Sequence, residues 1–187
     1  PLLAEAFGTS QMPIREAMNR LVVARAMEAL PRRSLRVPEA TRARLEALLP
    51  LRLLLEGEAT ALAVARAGGA ELADQLDAIN RQMDQAVLVD DRKPYLRLNQ
   101  QFHFLVYRNC GNEDLIDVIE SLWMRYGPLM NVVRSQVLSR TGHALHAAII
   151  AGVRARDGEA AKRALVSDIE DAAKSIKAAI EVQQAVG

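Results

Sequence analysis

The sequence is poor in most of the features that would fix its class in advance. One cysteine in 187 residues, Cys110, allows neither an intrachain disulfide nor a cysteine zinc site. That suits a reducing compartment and leaves the thiol as a small buried hydrophobe. No apolar run reaches the roughly 20 residues of a membrane span, and the opening PLLAEAFGTS lacks both the basic and the long apolar region of a secretory signal. A cytoplasmic protein with no membrane contact is therefore expected. Neither charge is in excess, with 24 Lys+Arg against 23 Asp+Glu. There is no fixed-period repeat and no low-complexity tract, which excludes a solenoid. The His-Asp, Glu-x-x-His and His-Glu-x-x-His patterns of helical metalloenzymes are absent too, which speaks against an enzyme.

What is present is unevenly distributed. Residues 1–38 hold six Arg against three Glu, whereas the remainder holds 18 basic and 20 acidic residues. A short basic head thus precedes a nearly neutral body. In the head, residues 1–7 and 13–25 have helix-forming composition, and Ile14, Met18, Leu21 and Val22 are spaced for one buried face. Between them Gly8 supplies a positive φ, Ser10 an N-cap and Pro13 a first-turn residue, which together predict a tight helix-turn-helix. Pro31 and Pro38 bracket a short hairpin with Arg32, Arg33 and Arg36 at its tip.

From Glu39 onward the chain reads as about six helices, at 39–67, 71–88, 93–109, 113–138, 142–156 and 158–185. Pro50 is expected to kink or split the first, and Gly127-Pro128 to interrupt the fourth. The fold class is mostly α: a winged helix-turn-helix over 1–38, followed by an all-helical bundle over 39–187.

A helix-turn-helix lays its second helix in the major groove with that helix's N-terminal residues on base edges and phosphates. Here those residues are Ser10, Gln11, Met12 and Arg15. Arg15 suits a guanine or a phosphate, Gln11 an adenine, and Ser10 a phosphate oxygen, while Arg32 and Arg33 would reach the backbone or minor groove as a wing. An ordinary capped helix with a solvated basic face is the competing description.

The run LLAEAFGTSQMPIREAMNRL followed by PRRSLRV resembles the winged helix-turn-helix of GntR-type bacterial transcription regulators. Gly8, Ser10, Pro13, Ile14, Arg15, Glu16, Ala17 and Leu21 match that pattern in order. The resemblance implies double-stranded DNA as partner, with Ser10, Gln11, Arg15 and the wing arginines in contact. Gln11 stands where the family usually has arginine, Arg25 where it has a helix-ending glycine, and Ser34 where the wing turns on glycine. The family's head also begins with a further helix ahead of the residues seen here.

The body resembles the FCD effector domain of the FadR-like subgroup. RLLLEGEATALAVARA with Arg52 and Glu56, LNQQFHFLVYRNCGN and HAAIIAGVRARDGEAAKRALVSDI carry the resemblance. It implies a divalent metal held by one aspartate and three histidines, onto which Asn99, His103, His146 and Asp168 map. Asn99 and His103, four apart, share one helix face. Asn replaces the family's carboxylate at 99 and Asp replaces an imidazole at 168, so the set keeps one negative charge and suits zinc, nickel, iron or manganese. Hydrogen-bonded core histidines remain the competing description.

The resemblance further implies a small carboxylate effector, with Arg52, Asn131 and Arg134 as candidate clamps and His143 as a pocket group. It describes a metabolite-responsive repressor, a homodimer on a pseudo-palindromic operator, with Pro38 and ATRARLEA as linker. The rival is a metal-dependent helical hydrolase working through His103, His146 and Asp168.

Overall fold

The computed structural model describes residues 2–31, 34–88, 92–133 and 135–186. The head contains α1 (Leu2–Ala6) and α2 (Gln11–Val23), then β1 (Glu28–Ala29) and β2 (Leu35–Arg36). Gly8 takes φ +60° between the two helices, a conformation that costs a residue without Cβ little. Ser10 has the extended backbone of an N-cap, but its hydroxyl makes no capping hydrogen bond. The strands pair antiparallel with Glu28 opposite Arg36, whose Nε donates to the Glu28 carboxylate at 2.8 Å. Where a glycine turn was expected, Ser34 closes the loop instead: its carbonyl accepts from the Leu30 N–H at 2.8 Å and its hydroxyl donates to the Pro31 carbonyl. Arg32 and Arg33 lie outside the described residues.

The body comprises α3 (Arg42–Ala67), α4 (Ala70–Leu88), α5 (Arg92–Tyr107), α6 (Glu113–Met130), α7 (Ser135–Ala155) and α8 (Gly158–Val186). Side-chain caps start several of them: Thr41 accepts from Arg44 N–H, Asn112 from Leu115 N–H and Asp157 from Ala160 N–H. α8 lies along both α3 and α7, and α4 along α5 and α7, so the core runs through the middle of the bundle. Leu48, Leu76, Phe102, Ile119, Ile149 and Leu165 are among its fully buried members. The α7–α8 approach depends on Gly152, where a Cβ would stand 2.6 Å from the Ala161 nitrogen. Among the described residues, no helix is long and apolar enough to cross a membrane.

Neither Pro50 nor Pro128 splits the helix that contains it. α3 runs unbroken through Pro50, which is exposed, so the Glu46 carbonyl that loses its helical donor can turn to water. α6 likewise continues through Gly127-Pro128 to Met130, and α7 begins at Ser135 rather than at 142. Gly127 has no Cβ to meet the ring of the following proline, which removes the main obstacle to a helical residue at that position.

α2 ends in a Schellman arrangement: Ala26 N–H bonds the Leu21 carbonyl at 2.9 Å and Arg25 N–H the Val22 carbonyl at 2.9 Å. The left-handed residue this requires is Arg25, at φ +56° and with an exposed side chain. Arg25→Gly removes the Cβ strain and no packing. Its added unfolded-state entropy offsets part of the gain, leaving a net stabilisation of roughly 0.5–1 kcal/mol. A raised urea midpoint at unchanged m value is the expected readout.

Candidate functional site

Glu56 lies on the inward stripe of α3 between Arg52 and Thr60 and is completely buried. Its carboxylate accepts four hydrogen bonds, from Arg52 Nε at 2.5 Å, Arg52 Nη2 at 3.0 Å, Tyr107 Oη at 2.6 Å and Trp123 Nε1 at 3.0 Å. Those donors come from α3, α5 and α6. The Arg52 guanidinium is in turn covered by Tyr126, 4.1 Å from the ring centre, and by Trp123 at 4.9 Å. Burial on its own would lower the Arg52 pKa, but Glu56 more than reverses this and holds the guanidinium charged.

Tyr107 passes this order to His103, one turn earlier on α5. Its single proton goes to Glu56, so the 3.3 Å contact between Tyr107 Oη and His103 Nδ1 needs the proton on Nδ1. His103 Nε2 is left with a lone pair that faces Asp168 Oδ2 at 3.3 Å. On α7, His146 is fixed in the same sense: its Nδ1 lies 3.2 Å from Asn80 Oδ1, an acceptor, so Nδ1 carries the proton. His146 Nε2 is buried with no hydrogen-bond partner, 3.6 Å from Asp168 Oδ1. Phe102 stacks on this imidazole with ring centres 4.3 Å apart.

Three acceptor atoms therefore meet in one place, all within 4.8 Å of one another. Burial depresses the His103 pKa against the opposing pull of Asp168, which keeps the imidazole neutral. A buried carboxylate facing two lone pairs is unfavourable unless a cation lies between them. Ligand atoms around an ion in a tetrahedral shell of about 2.1 Å bonds stand roughly 3.4 Å apart, close to the two contacts with Asp168. The residues fit a divalent metal.

Of the residues singled out from sequence, Asn99, His103, His146 and Asp168 are all buried, and Asn99, His103, Asp168 and Arg52 line one small chamber together with Tyr95 and Trp123. Arg52 reaches that wall with two of its nitrogens already engaged by Glu56. His143 lies exposed on α7, with Nδ1 2.8 Å from Asp84 Oδ1 and 3.5 Å from Nδ2 of Asn80, the residue behind His146, and lines none of the cavities around the cluster. Three residues before His146 on a helix, it faces the outer edge of α4. Asn131 is exposed beside the outer end of α6, with Nδ2 donating to the Gly127 carbonyl at 3.0 Å. Arg134 lies outside the described residues.

Sequence reasoning missed Asn80 as part of the site and took Glu56 only as a mark of resemblance; it read Tyr95, Tyr107 and Trp123 as core residues that could also form a pocket wall, and Tyr95 and Trp123 do line the chamber. One signal was available for Asn80, which interrupts the otherwise apolar buried stripe Leu72, Ala73, Leu76, Met83 of α4. In the head, Gln11, Met12 and Arg15 are exposed on the first turns of α2 beside the uncapped Ser10 hydroxyl, while Ile14, Met18, Leu21 and Val22 are half-buried on the other side.

Comparison with known proteins shows the family. Residues 47–171 match the FCD domain model, and residues 2–37 match the model of bacterial regulatory proteins of the gntR family. The chain is 30% identical over 167 residues to the HTH-type transcriptional regulator McbR of Escherichia coli strain K12, covering 87% of this chain and 75% of that protein. It is 25% identical to the "Probable D-xylose utilization operon transcriptional repressor" of Paenarthrobacter nicotinovorans, covering 89% and 73%. The solved structure of E. coli McbR/YncC superposes with a TM-score of 0.81 at 28% identity, covering 90% of this chain and 80% of that one. The metal-free FCD domain of TM0439 shares the fold, with a TM-score of 0.61 at 17% identity over 79% of this chain and 99% of that one. These relatives give the hydrolase alternative no support.

The Glu56 network makes a clear demand on stability. Glu56→Gln leaves Arg52 buried without its counter-charge and is expected to cost about 3–5 kcal/mol in denaturant unfolding. Tyr107→Phe removes a single bond and should cost about 1–3 kcal/mol. The double variant Arg52→Met/Glu56→Leu strands no charge and should lose less than Glu56→Leu alone.

Proposed function

The chain belongs to the GntR family of bacterial regulatory proteins and carries an FCD domain, and on that premise we propose that it is a repressor whose hold on its operator is set by a small carboxylate bound at a metal held by His103, His146 and Asp168. The chain is a DNA-binding transcription regulator. The finer reading divides it into a DNA-reading head over 1–38 and an effector and dimerisation domain over 39–187, working in the cytoplasm.

The observation that carries the effector half is the convergence of two imidazole lone pairs on a buried carboxylate, with the tautomer of each ring set from behind by Tyr107 or Asn80. Asn99, in the same chamber, offers a further carbonyl oxygen. Zinc, nickel, iron or manganese suits this set. A bound divalent ion supplies positive charge and an anchor for a carboxylate oxygen. The chain's own residues do the rest: Tyr107 and Asn80 orient the rings, Trp123 and Tyr95 wall off water, and Arg52 adds fixed positive charge beside the chamber.

In the head, Ser10, Gln11, Met12 and Arg15 would meet the major groove and Arg32 and Arg33 the flanking backbone or minor groove. A repressing sign follows the relative that bears that name. Two heads on a pseudo-palindrome require a homodimer. Exposed Leu51, Leu54 and Leu62, on one face of α3, support a second copy covering that helix. The effector can change DNA affinity by no more than its own preference for one of the two states.

Two measurements bear on this reading. Elemental analysis of untagged protein purified without chelator should find about one divalent ion per chain, with His146→Ala folded by circular dichroism but metal-free. A folded, metal-free parent protein would reject the metal. Arg15→Ala should weaken binding to the specific operator about tenfold or more while leaving non-specific binding less affected. Equal loss on both DNAs would reduce Arg15 to a phosphate contact.

A further inference from the structure

The chamber lined by Arg52, Asn99, His103 and Asp168 has a volume of about 20 Å³. A single water needs about 10–15 Å³ by the same measure, so this space takes an ion or one ligand oxygen and no carbon skeleton beside it. The body of any metabolite anchored there has to lie elsewhere. Three walls of the chamber, Asn99, Trp123 and Met130, also line a second cavity of about 160 Å³ between α5 and α6. The two spaces are thus neighbours across shared walls.

The two differ in chemistry. The chamber has Arg52, Asp168 and Asp171 in its walls, whereas the outer trench adds only Leu96, Gln100, Gly127 and Asn131 and has no charged side chain among its described walls. A further cavity of about 340 Å³ near Trp123 contains Arg108 and Glu120, but shares with the chamber only Trp123, so it is not the continuation. Gly127 keeps the trench open. A side chain built there meets nothing within 4 Å and would stand in the trench.

We propose that the α5–α6 trench is the subsite for the effector's tail, and that the effector is a monocarboxylate with an uncharged, largely apolar tail of several carbons. The inference rests on the metal-anchored carboxylate reading above and adds the length and charge of what is attached. A second carboxylate at the tail end would lose water against Leu96, Trp123 and Met130 without gaining a cation, so dicarboxylates are excluded.

Trp123 is the chain's one tryptophan and lines both spaces, so its emission reports their occupancy. The test titrates the zinc-loaded full chain with acetate, butanoate and hexanoate, and with hexanedioate as the doubly charged counterpart. Kd should fall about twofold to fourfold per added methylene. Hexanedioate should bind at least tenfold more weakly than hexanoate. Gly127→Leu should keep the metal content and acetate affinity of the parent and lose the length dependence. Gly127→Ala carries the same strain before Pro128 with only one added carbon and should keep most of it. Leu96→Phe fills the trench from α5, without adding a second tryptophan, if Gly127→Leu does not fold. A Kd indifferent to chain length, equal binding of hexanedioate, or a trench-filling variant that binds hexanoate like the parent overturns the proposal. Metal content measured on the same samples separates the two readings. Absence of the ion removes the metal anchor, whereas an ion with acetate bound but no length dependence removes only the tail subsite.

Discussion

The structure turns on one buried carboxylate. Glu56 is completely enclosed, which is tolerable for a charged group only when it is paired and hydrogen-bonded, and four bonds from donors on three helices meet that need, one on Oε1 and three on Oε2. The same four bonds fix the relative positions of α3, α5 and α6 at the level of the site. They also immobilise Trp123 and Tyr107, two of the large side chains around it. Hydrophobic burial holds the bundle together, but it is non-directional. The directional part of the site's geometry begins at Glu56.

From that point the order propagates outward by hydrogen-bond logic. Glu56 accepts from the Tyr107 hydroxyl, Tyr107 Oη accepts from His103 Nδ1–H, and the Nε2 lone pair is left aimed at Asp168. Asn80 does the same for His146 from the opposite side of the bundle, across α4 and α7. Asp168 is thereby a carboxylate set between two neutral imidazoles.

How much of this was legible in the sequence depends on the range of the interaction. Helix positions follow from local signals, and Gly8, Thr41, Asn112 and Asp157 all act where local chemistry places them. Pro50 and Gly127-Pro128 misled because a proline's cost inside a helix depends on whether the carbonyl it orphans can reach water and on whether the preceding residue has a Cβ, and the first of these is a tertiary fact. His103, His146 and Asp168, which the structure brings together, were singled out through resemblance. The groups that orient them were not, since Glu56 is 51 residues from Tyr107 and 67 from Trp123, and Asn80 is 66 from His146. Only a polar residue at a position whose helical neighbours are all buried betrays such a role, which makes Arg52, Glu56 and Asn80 visible as anomalies without naming their partners.

The head and the bundle are tied by a side chain that belongs to neither site. Arg44, in the first turns of α3, donates through Nη2 to the Arg25 carbonyl at 3.1 Å, and through Nε and Nη2 to the Arg125 carbonyl at 3.3 and 3.1 Å. Arg25 is the residue that ends the recognition helix, and Arg125 lies two residues beyond Trp123 on the helix that walls the chamber and the trench. A guanidinium is a rigid planar fork, so its bonds to two carbonyls are satisfied together over only a narrow range of separations. Any displacement of α6 must therefore either carry the end of α2 with it or give up hydrogen bonds at a half-buried cation. In a packed bundle of this kind the two alternatives are discrete.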